Sequence, residues 1–221
     1  MRWLLDKSGH SEHSAGEELI AGPEGFAAAP AKDAEGDYSV YWPGMRGRQL
    51  KNISEDVRRL IAKSDTLKQQ LRDNTEIQII YGSEGEGSTY TLPEEIITID
   101  GTKIDDQMAT MRSLAHEMGH AVGPEIDMLS LESRLNSEGA AQMNRIKIRN
   151  EIFSKDGTDI GIGGSKENQP IYLEIYDQYT TGKISYIEAI NQIGKIYGEK
   201  EHPTAAPHLT YSEWYRLQGA K

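Results

Sequence analysis

The sequence predicts an α+β domain in which a small mixed sheet packs against a set of helices. Segments rich in β-branched residues and bounded by Gly or Pro are confined to residues 75–100, which indicates a small sheet. Apolar residues recur every three or four positions through most of the remaining chain, which indicates amphipathic helices. At 221 residues the chain is long enough for one ordinary domain with a core.

The first 45 residues differ in composition from the rest. They are rich in Gly, Ala, Pro and Ser and have no periodic apolar pattern, so we predict a flexible leader or linker over 1–45 and a folded domain over 46–221. His10 and His13 lie in this leader and could form a second metal site. Histidine pairs are common in unstructured tails, which makes that site the weaker interpretation.

Three short strands make up the predicted sheet: residues 75–81, 89–92 and 96–100. The segment 82–88 between the first two strands contains three glycines. It lacks the Lys-Ser/Thr ending of a phosphate-binding loop, so we predict a hairpin loop there.

Helices account for most of the remaining chain, and several of their ends carry recognisable caps. Asn52 with Glu55 resembles a capping box, and Asp105 or Thr102 can cap the predicted helix over 105–122, which Gly123 ends. Residues 156–169 form a Gly-rich loop, which we predict to be mobile and to lie beside the cleft. The predicted helices cover residues 52–72, 105–122, 131–153 and 168–179, followed by two that begin at capping boxes headed by Ser185 and Thr210.

The composition argues against several classes of function. The net charge is −11, with 35 acidic against 24 basic residues, which disfavours nucleic acid or an anionic membrane as the partner. There is no cysteine, so a transition-metal site must use histidine and carboxylate ligands. No apolar run approaches the length of a membrane span, and we expect none.

The most informative motif is His116-Glu117-Met118-Gly119-His120, which matches H-E-x-x-H within the predicted helix over 105–122. Residues four apart lie nearly above one another on a helix, so both imidazoles can bind one metal ion. Glu117 adjoins that face, where it can accept a proton from a water that the metal activates. These residues predict a Zn²⁺ cofactor, with His116 and His120 as ligands and Glu117 as the general base.

Two histidines leave zinc without its third protein ligand. The metzincin pattern would require a histidine at position 126, where this chain has isoleucine. A glutamate on the next helix is the alternative, and Glu138 is followed by Gly139, Ala140 and Ala141, which would allow the two helices to approach closely. Other carboxylates remain open as the ligand: Glu125, Asp127 and Glu132.

The histidine pair with a later glutamate resembles the arrangement in gluzincin peptidases, whose third ligand is a Glu followed by small residues. The resemblance covers roughly residues 75–153 and implies a zincin-like fold and zinc-dependent peptide hydrolysis. It also implies an edge strand that pairs with the substrate backbone, for which residues 96–100 are the candidate. Gln142 and Arg145 follow Glu138 on one helix face and are candidates for orienting it or for binding substrate carbonyls.

The small size, the low-complexity leader and the helix bearing Arg149 and Glu151 resemble metallopeptidase toxin domains of bacterial secreted effectors, including those of type VI secretion. The resemblance implies delivery into a target cell, a protein or peptide substrate and a cognate immunity protein. Three alternatives stay open: a cytoplasmic regulatory metallopeptidase, a zinc amidase acting on cell-wall peptide, and a zinc-binding interaction module without catalysis.

Peptide hydrolysis also requires a donor for the oxyanion of the tetrahedral intermediate. Tyr211, from the C-terminal part, is the first candidate for this second catalytic role. The alternatives are His202, His208, Tyr172 and Tyr176.

Overall fold

The structure, a computed structural model, describes residues 53–221, which contain seven helices, one short 3-10 helix and one three-stranded sheet. The predicted α+β class is therefore confirmed. The predicted leader, with His10 and His13, and Asn52 lie outside the described residues. The elements in chain order are α1 (Glu55–Lys63), α2 (Asp65–Asp73), β1 (Gln78–Tyr81), β2 (Thr89–Thr91), β3 (Ile96–Ile99), the 3-10 helix (Gly101–Lys103), α3 (Gln107–Val122), α4 (Leu131–Asp156), α5 (Gln169–Thr180), α6 (Tyr186–Lys200) and α7 (Tyr211–Leu217).

The helix predicted over residues 52–72 is in fact two helices, α1 and α2, which meet at Ser64. The backbone of Ser64 is extended, and its hydroxyl accepts a hydrogen bond from the amide of Leu67. That hydroxyl also donates to the carboxylate of Glu151 at 2.6 Å. Ser64 therefore caps α2 instead of continuing α1, because a serine side chain competes with helical hydrogen bonding. Ser54 is the cap of α1.

The sheet has the order β1-β3-β2, with β3 parallel to β1 and antiparallel to β2. The sheet is mixed as predicted, but the prediction that residues 96–100 form the edge strand is wrong. β3 pairs on both sides, and Ile97 and Ile99 are fully buried. Within the described residues, β1 and β2 form the edges. Residues 82–88 join strands that are not neighbours, so this segment is a crossover and not the predicted hairpin loop.

Helix α3 begins at Gln107, two residues later than the predicted start at 105. Asp106 is the cap, and its carboxylate accepts a hydrogen bond from the amide of Ala109, so neither Asp105 nor Thr102 has this role. The predicted end at Gly123 is confirmed, as are the capping boxes at Ser185 and Thr210.

Helix α4 lies between two hydrophobic cores. One core joins the sheet to α1, α2, α3 and the end of α4, where Ile148 and Ile152 are buried. The other joins α5 and α6 to the middle of α4 through Met143 and Ile146. In the part of the chain that the structure describes, no helix is both long enough and apolar enough to cross a membrane.

Glycines allow close contact on both sides of α4. A Cβ on Gly119 of α3 would lie 2.5 Å from the Cα of Ala141, whereas a Cβ on Gly139 would overlap the carbonyl of Ile190 on α6. The prediction that Gly139 lets α4 approach α3 is therefore wrong, because Gly139 faces α6. The close approach of α3 depends on Gly119 and Ala141.

Candidate metal centre

His116 and His120 project from α3 towards Glu138 on α4, and one potential ligand atom from each lies within 4.8 Å of the others. The Nε2 atoms of His116 and His120 are 3.2 Å and 3.7 Å from Oε2 of Glu138. All three side chains are largely buried, with Glu138 only 4% exposed. This group could hold a metal ion.

The distances from Oε2 of Glu138 to the Nε2 atoms of the two histidines fit a tetrahedral ion. Bonds of about 2.0–2.2 Å at tetrahedral angles place neighbouring ligand atoms about 3.3–3.6 Å apart. Oε2 of Glu138 is buried without a hydrogen bond within the described residues, although a buried polar atom normally has a partner. A cation would satisfy this oxygen, and the carboxylate-imidazole set is one that accepts a transition metal.

Two further side chains orient the ligands. Oγ of Ser137 lies 2.7 Å from Nδ1 of His120, which leaves Nε2 of that ring facing Glu138. The hydroxyl of Tyr215 on α7 donates a hydrogen bond to Oε1 of Glu138. Such hydrogen bonds from outside the ligand set hold metal ligands in place.

Tyr215 and Ser137 are site residues that the sequence did not reveal. The chain has 11 tyrosines, and Tyr215 lies 77 residues from Glu138, so no spacing connects the two. Ser137 adjoins Glu138 in sequence, and its contact with His120 follows only once α3 and α4 are packed. The ring of Tyr197 on α6 also stacks on His116, with centroids 6.1 Å apart.

The site alters the proton affinities of its carboxylates in opposite directions. Burial raises the pKa of Glu117 to about 7, against the opposing charge of His120. Burial also acts to raise the pKa of Glu138, but the charge of His120 and the contacts with His116 and Tyr215 lower it to about 2. Burial lowers the pKa of His116 to about 3, with a further contribution from Arg145. Glu138 and His116 are thus held in the forms that bind metal, while Glu117 can exchange a proton near neutral pH.

This chain matches no family model, no curated protein and no solved structure. The geometry of its own residues therefore carries the functional argument.

The other carboxylates considered as third ligands lie outside this group. Glu125, Asp127 and Glu132 are exposed, and Asp127 accepts a hydrogen bond from the amide of Leu129. Among the described residues, Glu138 is the carboxylate that the fold brings to the two histidines.

The candidates for stabilising an oxyanion are dispersed. Tyr211 packs against Tyr197 and Tyr215, with ring centroids 4.8 Å and 5.6 Å apart, so it lies one ring away from the ligands. Tyr172 donates to Glu201, and Nδ1 of His202 lies 2.8 Å from the carbonyl of Leu209. Tyr176 packs against Tyr179 on α5, and His208 is exposed. Of these candidates, Tyr211 is adjacent to the aromatic rings that contact the ligands.

In the described structure, Gln142 and Arg145 form hydrogen bonds with the loop after α4 and not with Glu138. Both donate hydrogen bonds to the carbonyl of Ile162, at 2.8 Å and 2.7 Å, and so hold the Gly-rich loop 157–168 against α4. Arg149 pairs with Asp159 at the start of this loop, and Glu151 accepts hydrogen bonds from α2. The pair Arg149 and Glu151 therefore makes structural contacts.

Proposed function

We propose that this chain is a zinc-dependent peptidase with a gluzincin-like site on a zincin-like fold. The observation that carries the proposal is the convergence of His116, His120 and Glu138 around an unsatisfied carboxylate oxygen, next to the buried Glu117. A purely structural cluster would have no need for a second buried carboxylate whose pKa is raised to about 7.

Zinc is the metal that this ligand set favours. Calcium and magnesium prefer sites built from oxygen atoms, whereas two imidazoles and one carboxylate form a common catalytic zinc set with one open position. The absence of cysteine excludes a thiolate site.

When bound, Zn²⁺ would act as a Lewis acid that lowers the pKa of a water molecule and polarises the substrate carbonyl. Glu117 accepts a proton from this water as the new C–O bond forms. When the C–N bond breaks, Glu117 returns the proton to the leaving amine. A pKa near neutrality suits a group that must both accept and release a proton at neutral pH.

Tyr211 is the proposed donor to the oxyanion, and Tyr197 is its rival because its ring stacks on His116. Burial raises the pKa of both phenols, so each keeps its proton and can donate it in a hydrogen bond. The variants Tyr211→Phe and Tyr197→Phe separate the two. The variant that lacks the true donor should lose about 100-fold or more in kcat, and the other variant should not.

The substrate backbone is proposed to add as a strand to β2. β2 is an edge of the described sheet, and Thr89 and Thr91 are exposed. Ser88, which precedes β2, accepts a hydrogen bond from Lys103, and Lys103 also donates to Ser113, one helical turn before Glu117. A strand on this edge would therefore run close to Glu117.

We also propose that the protein acts as a secreted effector whose toxicity a cognate immunity protein blocks. The support is the resemblance of the α4 region to bacterial toxin domains. Expression of the wild type should stop growth of target cells, whereas the Glu117→Gln protein should not. Equal growth in both cultures would contradict the proposal that the protein is a toxic effector.

The proposed chemistry is tested by zinc content and peptide cleavage in the same preparations. The wild type should hold one zinc per chain and cleave a mixed peptide pool. Glu117→Gln should keep its zinc and lose about 100- to 10,000-fold in kcat. Glu125→Gln, an exposed acid just beyond α3, is the matched control and should behave as the wild type. A zinc-loaded wild type that cleaves no peptide contradicts the proposal.

A further inference from the structure

The hydroxyl of Tyr215 on α7 donates a hydrogen bond to Oε1 of Glu138, but α7 is too short to hold this phenol in place by itself. A helix of seven residues is well below the length of about 12 residues at which isolated helices begin to be stable in water. The orientation of Tyr215 therefore depends on contacts between α7 and the rest of the fold. Any group that fixes the phenol also affects the carboxylate that the phenol supports.

The face of the Tyr215 ring is covered by Arg134 of α4. The guanidinium carbon of Arg134 lies 3.9 Å from the centre of the ring, within the distance of about 6 Å at which a cation is attracted to an aromatic face. Both residues are buried, with 7% exposure each. Burial strengthens this contact, because water then competes less for the cation.

Helix α4 holds Tyr215 at two points. Arg134 and Glu138 are four residues apart, so they lie on the same face of α4 and both reach α7. Arg134 covers the face of the ring, and Glu138 accepts the hydrogen bond from its hydroxyl. A phenol that is held only at its hydroxyl can rotate about that hydrogen bond, whereas the second contact fixes the plane of the ring.

The guanidinium of Arg134 is itself held by α7. Nη2 of Arg134 donates a hydrogen bond to Oε1 of Gln218, the residue that caps the C-terminus of α7. Gln218 follows Tyr215 by three residues, so the two side chains are neighbours on the surface of α7. The planar guanidinium can therefore stack on the ring and donate to Gln218 at the same time.

Backbone hydrogen bonds also attach the segment after α7 to the start of α4. The amide of Lys221 donates to the carbonyl of Leu129 at 2.9 Å, and the carbonyl of Lys221 accepts from the amide of Leu131 at 3.0 Å. Leu129 and Leu131 flank Ser130, the N-terminal cap of α4. Because Ser130 is one helical turn before Arg134, this pairing keeps α7 within reach of Arg134.

We propose that Arg134 is a positioning residue of the metal centre, which holds the ring of Tyr215 so that its hydroxyl binds Oε1 of Glu138 and Oε2 stays facing the histidines. Arg134 acts through the phenol, since Arg134 contacts Tyr215 and Tyr215 contacts Glu138. This inference rests on the metal centre of the proposed function and adds a residue to its support.

The zinc affinity of the full chain tests this role, because it is measured without any cleavage. Arg134→Met removes the guanidinium and keeps an unbranched apolar side chain. We expect its zinc affinity, measured by competition with a zinc-binding dye, to fall about 2- to 30-fold, the range that corresponds to loss of a cation–aromatic contact. The loss should not exceed that in Tyr215→Phe protein, because the effect passes through the hydroxyl of Tyr215.

The decisive comparison makes the same substitution in Tyr215→Phe protein. There, Arg134→Met should change zinc affinity by less than about twofold, because the hydroxyl through which Arg134 acts is absent. If Arg134 contributed only to packing, its loss would weaken zinc binding equally in both backgrounds.

Arg149→Met is the matched control on the same helix. The guanidinium carbon of Arg149 lies 5.6 Å from the centre of the Phe153 ring, so this variant removes a contact of the same kind at the other end of α4. It should change zinc affinity by less than about twofold. Urea denaturation of both methionine variants measures their stability, so that their zinc affinities are compared between folded proteins.

A second variant tests the same role if Arg134→Met protein does not fold. Gln218→Leu removes the acceptor that holds the guanidinium of Arg134 and leaves Arg134 in the chain. We expect its zinc affinity to fall about 2- to 10-fold in the wild-type background and by less than about twofold in Tyr215→Phe protein.

The outcomes separate this inference from the peptidase proposal. Unchanged zinc affinity in Arg134→Met protein, or equal losses in the wild-type and Tyr215→Phe backgrounds, overturns the positioning role even if the wild type cleaves peptides. A loss that is confined to the wild-type background supports the role even if the zinc-loaded wild type cleaves no peptide. A wild type that binds no zinc overturns both proposals.

Discussion

The two faces of α4 make different contributions to the site. On one face, α3 supplies His116 and His120, which approach Oε2 of Glu138. On the other face, α7 supplies Tyr215, which donates to Oε1 of the same carboxylate. One oxygen of Glu138 is therefore available to a metal, and the other fixes the orientation of the side chain. The two histidines thus come from a local motif, whereas the support of Glu138 comes from a helix near the C-terminus.

Loss of Glu138 should have the largest effect on metal binding, because Glu138 is the residue that both faces share. We expect Glu138→Gln to weaken zinc binding by more than about 100-fold, which exceeds the effect of losing a supporting hydrogen bond. Elemental analysis of purified protein measures the zinc retained, and Glu132→Gln, an exposed acid on the same helix, is the control. If Glu138→Gln protein retained one zinc per chain, another residue would have to be the third ligand.

The glycines on the two faces of α4 offer the next test. Gly119→Ala and Gly139→Ala should each lower the free energy of unfolding by about 1–3 kcal/mol, because each new Cβ meets backbone of the neighbouring helix. Urea denaturation measures this, and Lys147→Ala on the exposed surface of α4 should change it by less than about 0.5 kcal/mol.

The two glycine variants should differ in zinc affinity. Gly119 lies between the histidines and α4, so Gly119→Ala should separate His116 and His120 from Glu138 and weaken zinc binding. Gly139→Ala moves α6 and should weaken zinc binding less. The reverse order would show that the α6 face, and not the α3 face, sets the distance between the ligands.

Tyr215→Phe removes the hydrogen bond from α7 and keeps the ring. We expect zinc affinity to fall about 10- to 100-fold with little loss of stability, because Glu138 loses the bond that orients it. Competition with a zinc-binding dye measures the affinity. Tyr211→Phe, on the same helix but without a contact to a ligand, should change it less than about twofold. Equal effects of both variants would mean that the aromatic cluster acts as a whole.

Ser137→Ala should have the smallest effect of the series. It removes the partner of Nδ1 of His120 on the α3 face, and we expect zinc affinity to fall by about tenfold or less. The same dye competition applies, with Ser154→Ala at the exposed end of α4 as the control. A loss larger than that in Tyr215→Phe protein would make the α3 face the principal support of the ligands.

Local patterns predicted some parts of the fold well. The end of α3 at Gly123 and the capping boxes at Ser185 and Thr210 depend on residues within one helical turn, so they are visible in the sequence. The prediction of a single helix over 52–72 was wrong, because Ser64 fits the helical spacing while its hydroxyl caps the next helix. The prediction that residues 96–100 form an edge strand was wrong, because strand order depends on pairing between segments. The alternation of apolar residues carries no information about that pairing.

The sequence alone places His116 and His120 on one face of a helix, with Glu117 adjoining it, because residues four apart lie nearly above one another. It also excluded thiolate ligands and pointed to Glu138 through the small residues beside it. The contacts of Tyr215 with Glu138 and of Gly139 with α6 are visible only in the tertiary structure. These contacts join residues far apart in the chain, and the packing of α4 between two cores brings them together.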